Sequence, residues 1–258
     1  MYVRASICFL LAGITPFAFA TDPVEQLLLA TYKLDNESSA ATGTVICTNS
    51  DPSNRQCVVL TADHVLSKML GDGCTLVSRT AVAAGYQREE IRIPIRREGR
   101  MLWKTHPHFD LAVLPLPKSV TVNSLPLASL ATADQMTDVH PGDNVRIAVF
   151  PERSEANGAG FPLLRHGSLA SYPLIPVHPH PRFLIDTTSW SGDSGGPVMH
   201  HSLRSAEDGP LIIGVVTGMR SITDTTKESR FVERRTHYPL GITEALHAAF
   251  AHELIDQL

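Results

Sequence analysis

Proline and glycine interrupt this chain at short intervals. There are 18 Pro and 17 Gly among 258 residues, and they leave room mainly for short elements joined by turns. Between them lie β-branched or apolar runs typical of strands, at 43–47, 57–61, 91–95, 145–150, 163–170, 183–185, 197–199 and 211–217. Many short strands separated by turns predict an all-β fold, either a sandwich or barrels.

The end of the chain has a helical pattern. Apolar side chains recur at every fourth position, in Ile242, Leu246, Phe250, Leu254 and Leu258. Thr243 is suited to cap a helix N-terminus, so we predict an amphipathic helix over 243–258. Farther back, the polar, alanine-rich stretch 128–138 is the predicted crossing between two halves, which would cover about 21–135 and 136–242.

The charged residues exclude one class of partner. They make up 19% of the chain and leave a formal net charge of -4. No run of basic residues indicates nucleic-acid binding, and no acidic block indicates a disordered tail. The composition is that of an ordinary soluble protein, and we expect it not to bind nucleic acid.

The first twenty residues have the composition of an export signal. Arg4 gives a positive start, residues 7–19 are largely apolar, and residues 18–20 have the small-x-small form of a signal-peptidase site. The alternative is a membrane anchor, but the apolar run is too short to span a bilayer. We therefore predict a signal peptide at 1–20, a mature chain from about Thr21, and a secreted or periplasmic location without stable membrane insertion after cleavage.

Three cysteines remain after Cys8 leaves with the signal peptide. Cys47 and Cys57 flank a dense turn sequence at 48–54, so the two would face each other across a hairpin within bridging distance. We predict a disulfide between them, which contributes about 2–3 kcal/mol by restricting the unfolded chain. Cys74 is left over in a compartment where disulfides persist, and it is either free or a competing partner.

One short stretch indicates chemistry. In the sequence Gly-Asp-Ser-Gly-Gly-Pro at 192–197, Ser194 stands between an aspartate and two glycines. Glycine allows backbone angles closed to other residues and leaves space for a substrate beside the main chain. The alternative is a glycine-rich turn between two strands. The functional interpretation makes Ser194 a nucleophile, which needs a histidine and a carboxylate.

Two further residues complete such a site. His64 closely follows the predicted strand 57–61, and Asp110 lies where a loop becomes an apolar strand. A serine hydroxyl holds its proton at neutral pH, a neutral imidazole can accept that proton, and a buried carboxylate fixes the imidazole's tautomer. His64, Asp110 and Ser194 occur in the order His, Asp, Ser, which is one of the known convergent arrangements.

These residues lie in motifs that resemble those of the chymotrypsin/trypsin-like serine peptidases. The sequence Thr-Ala-Asp-His at 61–64 is similar to the family's histidine motif, and His-Pro at 106–107 with Asp-Leu-Ala-Val-Leu at 110–114 to its aspartate motif. Residues 192–197 match its serine motif. Three motifs in this order are far more specific than any one of them, and the likeness reaches from about residue 43 to the end of the chain.

The resemblance implies both a fold and a site. The fold would be two six-stranded antiparallel barrels with the site in the cleft between them. His64 would be the general base, Asp110 its orienting group and Ser194 the nucleophile, while the backbone N–H groups of Gly192 and Ser194 would form the oxyanion hole. The function would be that of a secreted serine endopeptidase, which we expect to act as a monomer on a protein or peptide substrate without a cofactor or metal.

By the same resemblance, five residues would bind the substrate. Thr188 and Ser189 would line the pocket for the residue before the cut, and Thr217, Gly218 and Met219 would pair with the substrate as an added strand. Because a threonine and not an acid stands at the pocket base, cleavage after Lys or Arg is not expected unless an acid enters from another loop. We expect a small or apolar residue before the cut.

The chain departs from the family at three places. It has no Ile-Val-Gly-Gly start near Thr21, whose ammonium group would pair with Asp193, so Asp193 needs another partner such as a side chain. Asp63 stands where alanine is customary, next to His64, but adjacent residues rarely aim their side chains at one another. Met219 stands where the family usually has a glycine that admits the substrate backbone.

Two other functions share parts of this pattern. A catalytically silent relative would bind a partner through the same cleft; Met219 and the missing N-terminal start favour it, whereas the complete set of His64, Asp110 and Ser194 does not. A carboxylester hydrolase would carry its serine on a strand-to-helix turn in the order Ser, Asp, His, but here the order differs and Pro197 opens a predicted strand. The histidine pairs at 106/108 and 178/180 lack zinc spacing, so no metal site is predicted.

Overall fold

The computed structural model of the chain describes residues 22–48, 55–203, 209–228 and 232–258, so the predicted signal peptide lies outside the described residues. The helices are α1 (Pro23–Ala30), α2 (Asp63–Lys68) and α3 (Ala249–Ile255). The strands are β1 (Thr31–Asp35), β2 (Ala40–Cys47), β3 (Cys57–Thr61), β4 (Gly73–Val82), β5 (Gly85–Pro94), β6 (Arg96–Arg97), β7 (Arg100–Met101), β8 (Lys104–Thr105), β9 (Ala112–Pro115), β10 (Leu125–Pro126), β11 (Asn144–Val149), β12 (Leu163–Leu169), β13 (Arg182–Asp186), β14 (Pro197–His200), β15 (Leu211–Lys227) and β16 (Glu233–His247). No described helix is long and apolar enough to cross a bilayer.

The first half is an eight-stranded, mostly antiparallel sheet. Its strands lie in the order β5-β4-β1-β2-β3-β9-β8, and the short β10 pairs in parallel with β2. Strand β3 lies in the middle of this sheet, which is why its residues 58–61, three of them β-branched, are all buried. The register of β2 on β3 puts Cys47 opposite Cys57, and the two form the predicted disulfide. Among the described residues the pairings end at β5 and β8 and do not close this sheet.

The second half is a closed barrel of six antiparallel strands. Their order around the barrel is β11-β12-β13-β16-β15-β14. Strand β11 shows how the sequence forms it, because Val145, Ile147 and Val149 alternate along the strand and are all buried. Strands β15 and β16 are the longest, at 17 and 15 residues, and their far ends leave the barrel as a two-stranded ribbon.

The C-terminal helix begins six residues later than predicted. It covers Ala249–Ile255, and residues 243–247 belong to β16, so the prediction that Thr243 caps a helix over 243–258 is wrong. Ile242 and Leu246 are four positions apart, a spacing that also fits the two-residue repeat of a strand. Residues 242–247 form a strand and not a helix because β16 hydrogen-bonds to both β13 and β15, which closes the barrel.

Helix α3 packs against the first half of the fold beside the loop that ends at Asp110. The ring of Phe250 lies 4.3 Å from that of Phe109, centroid to centroid, and His106 Nε2 donates to Glu253 Oε2 at 3.2 Å. A continuous apolar core joins the second barrel to α1, α3 and one side of the first sheet. The loop at 106–110 is therefore held between helix α3 and the first sheet.

Candidate active site

Helix α2 brings His64 to the boundary between the two halves. Ala62 at its N-cap offers no side-chain hydrogen bond, so the first N–H groups of the helix need other acceptors. The backbone N–H of His64 donates to Asp110 Oδ1 at 2.9 Å, and the ring Nδ1 lies 2.6 Å from Asp110 Oδ2. One carboxylate thus fixes both the main chain and the ring of His64.

The carboxyl group of Asp110 is held in its ionised form. Burial raises its pKa, but the hydrogen bonds from the ring and backbone of His64 and the positive charges of His64 and Arg182 outweigh this, so the pKa lies below its ordinary value. An ionised Asp110 favours the His64 tautomer that carries its proton on Nδ1. Nε2 is then an acceptor, and it lies 3.0 Å from Ser194 Oγ.

Asp63 does not compete for His64. Its Oδ1 accepts hydrogen bonds from Trp103 Nε1 at 3.0 Å and from Thr105 Oγ1 at 2.6 Å, and its Oδ2 accepts one from Ser67 Oγ at 3.1 Å. The side chain therefore points away from the ring of its neighbour, and Asp110 is the carboxylate that contacts His64.

The serine turn at 191–196 joins the two halves of the molecule through Thr42 of β2. The N–H of Thr42 donates to Ser194 O at 3.0 Å, and its Oγ1 donates to Gly192 O at 2.8 Å. The same Oγ1 accepts the N–H of Phe150 at 3.1 Å. Sequence reasoning did not identify Thr42, because a threonine inside a β-branched strand carries no signal beyond strand propensity.

Two glycines in this turn cannot be replaced without moving the backbone. Gly192 and Gly195 have φ of 97° and 87°, backbone angles that residues with a side chain rarely adopt. A Cβ on Gly195 would lie 2.0 Å from Thr42 O, and one on Gly192 would lie 2.3 Å from Phe150 O. The turn therefore fits against Thr42 of the first sheet and Phe150 of the second half only with glycine at both positions.

The same turn orients the two N–H groups predicted to form an oxyanion hole. Ser191 O accepts the N–H of Glu152 at 2.6 Å, and Asp193 O accepts the N–H of Gly196 at 3.0 Å. In a trans peptide the N–H points away from the C=O, so these bonds aim the N–H groups of Gly192 and Ser194 in the opposite direction. Neither N–H has a backbone acceptor among the described residues.

Asp193 has a side-chain partner, as the missing N-terminal start requires. Its buried Oδ2 accepts hydrogen bonds from Arg165 Nη1 at 2.9 Å, Trp190 N–H at 2.9 Å and Ser189 Oγ at 3.2 Å. Burial raises the pKa of Asp193, and the Trp190 N–H, the charge of Arg165 and the Ser189 hydroxyl act against that rise. Sequence reasoning missed Arg165, which lies on β12, 28 residues before its partner.

The residues predicted to bind substrate border the same turn. Thr188 and Ser189 line a narrow cleft together with Arg165 and Asp193, and the cleft has no room for a water molecule. On the other side, the N–H of Gly195 donates to Val216 O and the N–H of Val216 donates to Gly196 O, both at 2.8 Å. These bonds place the next residues, Thr217, Gly218 and Met219, beside Ser194, and the side chain of Met219 is 45% exposed.

A larger concavity lies elsewhere and does not show the same chemistry. It measures about 780 Å³ and lies over β4 and β5 of the first sheet. Some of its charged groups pair with one another, as Asp35 does with Arg153. Cys74 borders it, but this thiol is buried, and burial raises its pKa to about 12, so it is not a nucleophile at neutral pH.

A closed antiparallel barrel beside a second sheet, with serine, histidine and aspartate in one hydrogen-bonded chain where they meet, defines the class of trypsin-like peptidases. The family model described as "Trypsin-like peptidase domain" matches residues 25–204, and the chain belongs to this family. No curated protein matches the chain.

Solved structures resemble this fold. HL collagenase is 15% identical, with a TM-score of 0.53, and the match covers 90% of this chain and 94% of that one. An inactive serine-to-alanine mutant of Rv3671c from M. tuberculosis H37Rv is 17% identical, with a TM-score of 0.49, over 92% of this chain and 90% of that one. At such identities the HL collagenase likeness shows the fold alone, which is chymotrypsin-like.

Proposed function

We propose that this protein is an exported serine endopeptidase. The observation that carries the proposal is the hydrogen-bond chain from Asp110 Oδ2 to His64 Nδ1 at 2.6 Å and from His64 Nε2 to Ser194 Oγ at 3.0 Å. Both distances are within the reach that proton transfer between positioned groups requires. Membership in the trypsin-like peptidase family supports the same chemistry.

In the first half of the reaction, Ser194 Oγ attacks the carbonyl carbon of the peptide bond while His64 Nε2 takes its proton. Asp110 stabilises the imidazolium that forms. The oxygen of the tetrahedral intermediate accepts hydrogen bonds from the N–H groups of Gly192 and Ser194, each of which contributes about 10²–10³ in rate in comparable sites. His64 then gives its proton to the leaving amine, and the acyl group stays on Ser194.

In the second half, water replaces the amine. His64 takes a proton from the water as it attacks the acyl carbon, the same two N–H groups bind the oxygen, and Ser194 recovers its proton as the acid product leaves. No step needs a metal or cofactor, since the charge that develops is met by groups of the chain itself.

The cleft beside Ser194 supports a narrow preference before the cut. Thr188 and Ser189 line the cleft, and the paired Arg165 and Asp193 form another part of its lining. The cleft has no room for a water molecule, so a bulky side chain would not enter it unless its walls moved. We therefore propose cleavage after a small residue, which profiling on a peptide library would test.

Export is part of the proposal. The Cys47–Cys57 disulfide suits an oxidising compartment, which agrees with the signal-like sequence at 1–20. N-terminal sequencing of the mature protein should find a start near Thr21. An intact Met1 on the protein recovered outside the cytoplasm would contradict cleavage of a signal peptide.

The first prediction concerns Ser194. We expect Ser194→Ala to lower kcat by about 10⁶-fold, as loss of the nucleophile does in comparable enzymes, and to abolish labelling by a fluorophosphonate probe. Ser191→Ala is the matched control, since Ser191 contributes only its backbone carbonyl to the turn. A Ser194→Ala variant that kept wild-type activity would rule out the mechanism. A wild-type protein that neither cleaves nor takes up the probe would favour the silent binding relative.

A further inference from the structure

Strands β15 and β16 extend well beyond the barrel that they complete. Strand β15 pairs with β14 only as far as Val215, whereas it pairs with β16 as far as Lys227. From Met219 to Lys227 the ribbon projects about 27 Å at roughly 3.4 Å per residue. Its described residues, 219–228 and 232–240, are all exposed except Thr236, so the ribbon supports no core.

One edge of β15 is unpaired along this ribbon. In an antiparallel pair each strand directs alternate main-chain N–H and C=O groups to its partner and the others outward. Beyond Val216 the outward groups of β15 face no other strand among the described residues. Proteins usually shorten or cover such edges because they pair readily with another chain. A long, unpaired strand edge beside a candidate active site is therefore available to pair with another polypeptide.

The open edge begins at the serine turn, where Thr217 is an extra residue of β15, because Val216 faces Ala245 and Gly218 faces Glu244. Val216 is bonded to Gly195 and Gly196, and the edge starts at the next residue, Thr217. The register shift after Arg220 is taken up by two extra residues of β16, because Arg220 faces Ile242 while Ser221 faces Pro239. Strand β15 itself stays regular there, so a chain paired with Thr217–Met219 meets the same edge farther out.

We propose that this edge extends the substrate-binding strand, so that the enzyme holds an extended segment of its protein substrate for about seven residues before the cut. The inference rests on the proposed function. If the first and third residues before the cut lie opposite Thr217 and Met219, antiparallel pairing places the fifth opposite Ser221 and the seventh opposite Thr223. Main-chain hydrogen bonds provide the affinity in such strand addition.

The side chains of the ribbon favour recognition of conformation over sequence. Its charges are largely met within the fold, by the pairs Arg220–Glu244 at 2.7 Å, Arg234–Glu228 at 3.0 Å and Arg235–Glu233 at 3.0 Å. The other residues of β15 in the ribbon include Ser221 and three threonines, and the exposed apolar side chains of Met219 and Ile222. The occupant is therefore an unfolded polypeptide with a free backbone, not a partner of strong charge.

The test compares peptides that share the same three residues before the cut and differ in length upstream. We expect kcat/KM to rise about tenfold as the segment grows from three to seven residues, the order of effect given by two further main-chain hydrogen bonds. In a variant with 222–238 replaced by Asn-Gly, which joins the facing residues Ser221 and Pro239, most of that rise should disappear. Thr225→Ala, which keeps the main chain, should retain it.

A second measurement uses the unaltered protein, in case the shortened variant does not fold. Single N-methyl groups at the fourth to seventh residues before the cut should lower kcat/KM with a period of two, because only alternate N–H groups point to the enzyme. Cleavage that is independent of length and of N-methylation would overturn the inference while leaving the proposed function intact. If the wild-type protein instead formed concentration-dependent dimers, and the variant with the shortened ribbon did not, the occupant of the edge would be a second copy of the chain, and the inference would be overturned. Failure to cleave even the three-residue substrate, with no probe labelling, would instead overturn the proposed function.

Discussion

Asp193 is a charged residue in a place where charge is unfavourable, since its side chain is almost wholly buried under the serine turn. It keeps one oxygen bonded to Arg165, Trp190 and Ser189. Removing one partner of a buried ion pair generally costs about 3–5 kcal/mol, because the other charge is left without compensation. The conformation of the turn is therefore coupled to Arg165, on a different strand.

The prediction at this scale is that Arg165→Leu lowers kcat/KM at least about 100-fold, because an unpaired Asp193 would rotate toward water and carry the N–H of Ser194 with it. Probe titration would measure the fraction of protein with a competent turn, and thermal unfolding would report the loss of stability. Arg165→Lys should recover part of both. His166→Gln, at the next and exposed position of β12, is the matched control. Equal probe labelling in Arg165→Leu and wild type would contradict the coupling.

The residues that perform the proposed chemistry could be predicted because each lies in a short local motif. His64, Asp110 and Ser194 were found in this way, and the structure brings them together. Arg165 and Thr42 could not be predicted, because their roles depend on contacts across 28 and 150 residues of chain. The sequence showed only that Asp193 lacked its usual partner.

At the scale of elements, the loop at 150–161 supports the turn from outside. Glu152 donates its N–H to Ser191 O, and Glu155 is bonded by Arg88 Nε at 3.0 Å and by Lys33 Nζ, both from the first sheet. Glu152 and Arg153 have φ of 46° and 64°, in the left-handed region that non-glycine residues seldom adopt. Contacts with the first sheet hold the loop in this less favourable conformation.

We expect Glu155→Gln to loosen this loop and lower kcat about tenfold with little change in KM, because the affected group is an oxyanion donor and not a ground-state contact. Steady-state kinetics on a three-residue substrate would separate the two parameters. Glu90→Gln is the matched control, since Glu90 also bonds Arg88, at 2.6 Å, but does not touch the loop. An equal effect of both variants, or an effect on KM alone, would show that Glu155 does not act through the turn.

The elements that were hard to predict are those in which the usual periodicity is ambiguous or missing. The spacing of Ile242 and Leu246 fits both a helix and a strand, and only pairing on two sides selects the strand. The ribbon has no alternation of apolar and polar residues, because both of its faces meet water. By contrast, the hairpin of β2 and β3 was predictable, since its β-branched runs flank a turn and are buried as a pattern of that kind requires.

At the scale of the whole molecule, His247 makes stability depend on pH. It is fully buried in the second barrel, where its ring packs 4.9 Å from that of Phe183, and burial lowers its pKa to about 4. In the unfolded chain a histidine titrates near pH 6.5. Between about pH 6.5 and 4 the unfolded state therefore binds more protons, and the free energy of unfolding falls as pH drops through this window.

We expect His247→Leu to remove most of the pH dependence of the free energy of unfolding between about pH 6.5 and 4. The matched control is His201→Gln, which replaces an exposed histidine and should leave that dependence unchanged. Urea unfolding at several pH values between 4 and 7 would give the slope directly. If His247→Leu showed the same slope as wild type, the acid sensitivity in that window would have to come from other groups.

The pairing of Asp193 with Arg165 also bears on how such an enzyme is controlled. Where the turn depends on a new N-terminus, proteolysis decides when activity begins. Here Arg165 of the same barrel pairs with Asp193, so the proposed enzyme would need no new N-terminus to order the turn. If the proposed function holds, the fold alone would make the turn competent, and the producing cell would be protected only if the chain folds after export or meets an inhibitor as it folds.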